Sequence, residues 1–225
     1  MQKETYNSAE PLEYVRGFTK FLGCKIDLSK KPLIPRPETE YWVGEVIKQI
    51  SLIPFIDGRQ KKGIRVLDIF CGSGCIGLAI LQHVKNVEVT FADKYKYFSH
   101  PKFVKSDIFE KVVGRYDYIF ANPPYIPDYR KNPSTRLRAI LRNRIQKSVL
   151  DFEPNEALFG GEDGLFYIRK FLKGAKNHLN PGGTIFMEFS PEQKSEVAKL
   201  AKKYNFKTCE FFKDQYSRYR WVEIV

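Results

Sequence analysis

Asp68-Ile69-Phe70-Cys71-Gly72-Ser73-Gly74-Cys75-Ile76-Gly77 begins within a mostly apolar hexapeptide at 64–69 and leads into a helical pattern at 76–84. A buried strand that turns through glycines into a helix lets the backbone approach a ligand closely. The new helix N-terminus then offers free N–H groups. Gly72, Gly74 and Gly77 satisfy the spacing G-x-G-x-x-G. Asp68 closes the strand and can meet a cationic group. Asp93 closes the next apolar run at 87–92, where an acid takes the two hydroxyls of a ribose. Together these features predict a nucleoside-cofactor site. The glycines alone do not separate a dinucleotide from other nucleosides.

Outward from this turn the chain alternates. Strands are predicted over 103–104, 116–121 and 184–189, and helices over 163–178 and 191–204, with a turn at Asn180-Pro181-Gly182-Gly183. Two strands close the pattern, 206–213 and 220–225, near enough in sequence to pair antiparallel. The fold class is therefore α/β: a mostly parallel twisted sheet with helices on both faces and an antiparallel C-terminal strand pair. The connection 93–102 is too short for a crossover helix and leaves that sheet edge less covered. Upstream, 12–28 reads as a short β-hairpin arm, a helix starts at Glu38, and 53–62 reads as a polar loop. This divides the chain into an arm, 1–37, and one domain, 38–225, with a basic insertion at about 128–150.

The charge is unusual: 38 Lys and Arg against 26 Asp and Glu give +12, which favours anionic partners over a purely solvated basic surface. Four cysteines, Cys24, Cys71, Cys75 and Cys209, follow no zinc spacing and read as reduced thiols. No apolar run approaches a membrane span and residues 1–10 lack a signal core, so a soluble cytoplasmic protein without membrane association or metal is expected.

The apolar run 116–121 ends in Asn122-Pro123-Pro124-Tyr125. Two prolines fix φ and remove two donors, so the carbonyls there stay rigidly aimed. Asn122 adds a side-chain acceptor and Tyr125 a flat face. This suits a planar –NH2 group whose hydrogens go to Asn122 Oδ1 and the Pro123 carbonyl. Held so, the delocalised nitrogen lone pair is localised toward an electrophilic methyl group, which is catalysis by positioning.

These motifs resemble the S-adenosylmethionine-dependent class I methyltransferases, whose fold is Rossmann-like. The runs Glu10-Pro11-Leu12, Leu33-Ile34-Pro35-Arg36-Pro37-Glu38-Thr39-Glu40, Glu153-Pro154, 157–165, 179–188 with Gln193, and 214–220 are similar to the HemK/PrmC family. Its members methylate the glutamine of peptide chain release factors. The resemblance spans about residues 10–225. It implies that Phe70, Cys71, Gly72, Ser73 and Gly74 line the methionine end of S-adenosylmethionine and that Asp93 holds the ribose. Asp107 and Ile108 would flank the adenine, Asn122 to Tyr125 would bind the glutamine amide, and Arg36 and Thr39 would close over the site. S-adenosylhomocysteine would be the product. For Asp107 a turn cap is the alternative, for Arg36 a pairing with Glu38 or with the cofactor carboxylate, and for Glu188 a structural role.

The chain departs from that family in four places. Only about ten residues stand where a helical N-terminal domain is usual, so a short form is expected. Phe70 replaces a common glycine, and the segment after Asp93 is short. The insertion from Arg130 to Lys147 carries seven basic residues and no acid, among them Arg138 and Arg142. With Leu137, Ile140, Leu141 and Ile145 at helical spacing, it is expected to contact ribosomal or other RNA or an acidic protein face. The leading expectation is methylation of the Gly-Gly-Gln glutamine of release factors. The alternatives are methylation of exocyclic amino groups of RNA or DNA bases, methylation of a ribosomal-protein glutamine, and an inactive RNA-binding module.

Overall fold

A computed structural model describes residues 10–57, 63–131 and 145–225. After a short helix α1 (Leu12–Arg16), a hairpin of β1 (Phe18–Phe21) and β2 (Cys24–Asp27) leads to the long helix α2 (Pro37–Asp57). Then follow β3 (Ile64–Ile69), α3 (Cys75–His83), β4 (Val87–Asp93), β5 (Phe103–Lys105) and β6 (Tyr116–Ala121). Two short helices, α4 (Lys147–Phe152) and α5 (Asn155–Leu158), precede α6 (Phe166–Ala175), β7 (Leu179–Glu188), α7 (Lys194–Lys203), β8 (Cys209–Lys213) and β9 (Tyr219–Ile224).

The described strands build a hairpin and a seven-stranded sheet of order β5-β4-β3-β6-β7-β9-β8. Neighbours from β5 to β7 run parallel, while β9 is antiparallel to both β7 and β8. The chain winds from β3 outward through β4 to β5, then returns to the other side of β3 as β6. The strand order thus reverses between β3 and β6, and a crevice opens at their carboxyl ends, where α/β sheets bind ligands.

Each sheet face buries its own cluster. One contains Trp42, Val43, Val46 and Ile50 of α2, Ile76, Ala79 and Ile80 of α3, and Phe21, Ile26, Leu28 and Ile34 from the hairpin and its exit. The other packs Ile168, Phe171 and Leu172 of α6 and Val197 and Leu200 of α7 beneath the sheet. Trp42 lies between Phe120 and Trp221 with ring centroids 6.0 Å from each, so α2 is fixed on β6 and β9.

Several expectations change. Residues 12–28 hold a helix as well as the hairpin, because five residues are enough for one turn before Gly17 (φ +74°) ends it. The loop expected from 53 is helix as far as Asp57, so the element runs on through Pro54. Residues 180–183 do not end the element. They form an outward bulge within β7, since Tyr116 pairs with Leu179 but Tyr118 already pairs with Thr184. The helix expected from 163 starts at Phe166, and that expected over 191–204 opens with a 3₁₀ turn. The segment after Asp93 has no helix, as expected, yet the edge is covered there. Phe98 is buried, 5.0 Å from Phe91 and 5.9 Å from Phe103 by ring centroids. Residues 132–144, with Leu137, Arg138, Ile140, Leu141 and Arg142, lie outside the described residues.

Candidate active site

The turn after β3 is wound by three left-handed residues in five: Phe70 (φ +59°), Gly72 (+52°) and Gly74 (+76°). A side chain at 74 would put its β-carbon 2.6 Å from the Phe98 ring, and one at 77 would stand 2.3 Å from the Phe91 ring. Those glycines serve packing. At Gly72 no atom lies within 4 Å of such a β-carbon, so its backbone fronts open space. Phe70 holds a conformation that costs a non-glycine residue of the order of 1 kcal/mol. Edge contacts to Tyr167 (6.0 Å) and Phe171 (6.1 Å) offset that cost.

A cleft of about 910 Å³, counting its open mouth, lies before this turn. Phe70, Cys71, Gly72, Ser73, Asp93, Asp107, Ile108, Asn122, Arg36 and Thr39 all line it. Asp93 accepts the Gly72 N–H on one oxygen (2.9 Å) and the Tyr95 N–H on the other (2.8 Å). Burial pushes its pKa up while those donors pull it down. Each oxygen keeps a lone pair, which is what two neighbouring hydroxyls require. Asp107 pairs with Lys94 (3.1 Å), and the turn it was expected to cap is capped instead by Ser106, whose hydroxyl accepts the Lys111 N–H (2.9 Å). Tyr95, Tyr97, Tyr167, Phe70 and Ile108 supply flat and apolar walls. This donor set fits a molecule with vicinal hydroxyls and a flat ring.

Asp68 stands elsewhere. It is wholly buried behind the wall, with Oδ2 accepting the Gly77 N–H (2.9 Å) and Oδ1 lacking a partner. Burial, reinforced by the charge of Asp93, raises its pKa to about 7. Cys71 and Cys75 are buried free thiols whose pKa burial raises well above the usual range. Gly74 does not line the cleft; it sits at the start of α3.

The second half of the site follows β6. Pro123 and Pro124 are buried, while Asn122 and Tyr125 are half-buried. Asn122 lines the large cleft and also a smaller neighbouring one, bounded by Pro123, Tyr125, Ile126, Gln146 and Val149. It therefore stands on the partition between two compartments. The loop is held from behind. Gln193 donates Nε2–H to the carbonyls of Tyr125 (2.9 Å) and Gly164 (3.1 Å), and the Ile126 N–H meets the Leu158 carbonyl (3.0 Å). The stretch 157–165 thus braces the Asn-Pro-Pro-Tyr loop; a β-carbon at Gly160 would lie 2.4 Å from the Pro124 oxygen.

Two buried glutamates tie distant segments together around the site. Glu153 accepts Arg36 Nη2–H (2.8 Å) and the Ile34 N–H (3.2 Å), so the protein partner of Arg36 is Glu153 and not Glu38. Glu188 accepts from Thr39, Trp42 and Tyr125. Burial raises its pKa against the pull of those donors and of Arg220. Tyr125 is pushed above its usual value by burial and by Glu188. Sequence reasoning assigned no role to Glu153 or Gln193. Their only signal was a place in runs that resemble the family.

Comparison with known proteins agrees with this geometry. A family model for the methyltransferase small domain matches residues 52–148. The release factor glutamine methyltransferase of Clostridium botulinum is 32% identical over 91% of this chain and 71% of its own length. That of Thermodesulfovibrio yellowstonii is 34% identical over 91% and 72%. The solved release factor-specific protein-(glutamine-N5) methyltransferase from Alicyclobacillus acidocaldarius superposes with TM-score 0.52 at 25% identity, covering 85% of this chain and 93% of that one. A ribosomal protein L11 methylase from Lactobacillus delbrueckii (TM-score 0.56, 13% identity, 89% and 83% covered) shares the fold. With a class I sheet, an Asn-Pro-Pro-Tyr loop on the partition between two compartments and relatives at this identity over most of their length, the chain belongs to the release factor glutamine methyltransferase family.

Proposed function

We propose that this protein transfers a methyl group from S-adenosylmethionine to the side-chain amide nitrogen of the glutamine in the Gly-Gly-Gln motif of peptide chain release factors. The observation that carries the reading is the position of Asn122, on the wall shared by the cofactor-sized cleft and the smaller compartment. S-adenosylmethionine supplies an electrophilic methyl on a sulfonium centre and leaves as S-adenosylhomocysteine. Asp93 holds the ribose, Asp107 and Ile108 flank the adenine, and the backbone of Phe70 to Ser73 borders the methionine end.

The smaller compartment takes the glutamine side chain. Asn122 Oδ1 and the Pro123 carbonyl accept its two amide hydrogens, and the Tyr125 ring lies against its plane. Held in tetrahedral directions, the nitrogen lone pair turns toward the large cleft. The chain needs no strong base, since the methylated nitrogen is acidic enough to release its proton to water. The arm, 1–37, borders the same site through Arg36, whose guanidinium meets Glu153 of the domain 38–225. No described helix is long and apolar enough to cross a membrane. Release factors are cytoplasmic, and the enzyme works there. The basic insertion, with net charge +12 behind it, supports RNA contact as a second property of the surface.

Incubation with labelled S-adenosylmethionine, a release factor and total RNA, followed by mass spectrometry, tests the methyl-transfer reading. The expected product is one added methyl on the Gly-Gly-Gln glutamine. Label confined to RNA would replace this reading with base methylation.

A further inference from the structure

Glu188 sits at the end of β7 behind the acceptor loop and is 1% exposed. Its Oε2 receives the Thr39 hydroxyl (2.7 Å) and the Trp42 indole N–H (2.8 Å), and its Oε1 receives the Tyr125 hydroxyl (3.0 Å). A hydroxyl has one proton. That of Thr39 is committed to Glu188, so toward Asn122 the Thr39 oxygen can only accept. The group it meets there, 3.4 Å away, is Asn122 Nδ2. The two ends of an asparagine amide have nearly the same shape, and their hydrogen-bond partners decide which way round it sits. With Nδ2 taken by Thr39, Oδ1 is the end left for the substrate.

We propose that Glu188 and Thr39 are positioning residues, and that the one-way chain Asn122 to Thr39 to Glu188 makes Asn122 present an acceptor, not a donor, to the substrate –NH2. The inference rests on the role of Asn122 proposed above and deepens it. A reversed amide would face the glutamine with its own N–H2, donor against donor, and the nitrogen lone pair would lose its alignment. Thr39, expected from the resemblance to close on substrate, acts here through Asn122 instead. It is 2% exposed and reaches the reaction through the Asn122 amide. Tyr125 is held by the same carboxylate, so one buried group sets both the acceptor and the ring beside it.

The test is a double-mutant cycle on methyl transfer to a release factor, with thermal midpoints recorded for every protein. Thr39→Val keeps the shape and removes the hydroxyl. It is expected to lower kcat about tenfold or more while KM for S-adenosylmethionine stays within about twofold, and Thr39→Ser is expected to restore the rate to within about threefold. In an Asn122→Ala background, Thr39→Val is expected to add no further loss, because there is no amide left to orient. Where Thr39→Val yields no folded protein, Thr39→Ala completes the same cycle without needing extra room. Additive losses in the double mutant, or full kcat in Thr39→Val, would overturn the relay while leaving the activity in place. No transfer by the wild type would overturn the function itself and the relay with it.

Discussion

Asp68→Asn takes a charge out of the turn after β3 while leaving an oxygen to accept the Gly77 N–H. In the folded chain the Asp68 carboxyl has its pKa raised from 3.8 to about 7, chiefly by burial. The sign follows from proton binding. Between these values the folded state holds the proton and the unfolded state does not, so stability is fullest below the unfolded value and falls as pH rises through the folded one. Roughly three pH units, at about 1.4 kcal/mol each, make about 4 kcal/mol in all, of which about 3 lies between pH 4.5 and 8. Shifted groups that do not interact with Asp68, Glu188 among them, are common to both proteins and cancel, while the coupling of Asp93 to Asp68 is part of the difference being read. The buried amide of the variant has a cost of its own, but that cost does not depend on pH. Urea unfolding of both proteins at half-unit steps from pH 4.5 to 8 reads the difference. Wild type is expected to lose about 3 kcal/mol relative to Asp68→Asn across that range. A difference that stays constant with pH would refute the reasoning, and with it the picture of a carboxylate without a partner on Oδ1.

Two further perturbations probe the brace around the acceptor loop. Gly164 has φ +74°, and a β-carbon there would lie 2.3 Å from the Tyr125 carbonyl oxygen. Gly164→Ala is therefore expected to lower unfolding free energy by about 2 kcal/mol or more and to reduce transfer, with wild-type values in both assays as the contrary result. Among the described residues Arg36→Met leaves the Glu153 carboxylate with the Ile34 N–H as its donor, and it is expected to cost about 2 kcal/mol. Glu153→Gln in the same background should recover part of that loss in denaturant midpoints; a further loss would show that the carboxylate is not what the arginine stabilises.

The parts of the fold legible in the sequence were those written in continuous local pattern. β3 and β6 fall on the expected residues, because six apolar-rich positions bounded by a polar loop and a turn admit few other conformations. The antiparallel β8–β9 pair followed from its short connection. Helix α1 was hidden because five residues carry too little periodicity, and the passage of α2 through Pro54 contradicts the usual rule for breakers. Within the site, Gly72, Asp93 and Asn122 were marked by their places at strand ends. The partners that hold the loop were not marked: Arg36 and Glu153 are 117 residues apart, and spacing along a chain contains no information about that meeting. Gly77 shows a related ambiguity, since it satisfies a ligand-binding spacing yet makes room for Phe91.

The Thr39–Glu188 hydrogen bond joins residues 149 positions apart, and β9 enters the sheet between β7 and β8. A ribosome making this chain releases α2 early and β9 late. Until β9 has emerged, β7 has an open edge and Glu188 lacks the flank that Trp221 provides opposite it. The turn after β3, by contrast, takes its contacts from residues no later than Phe171. Nascent enzyme can therefore acquire a nucleoside pocket well before it acquires an oriented acceptor amide, and methyl transfer becomes a property of the finished chain alone.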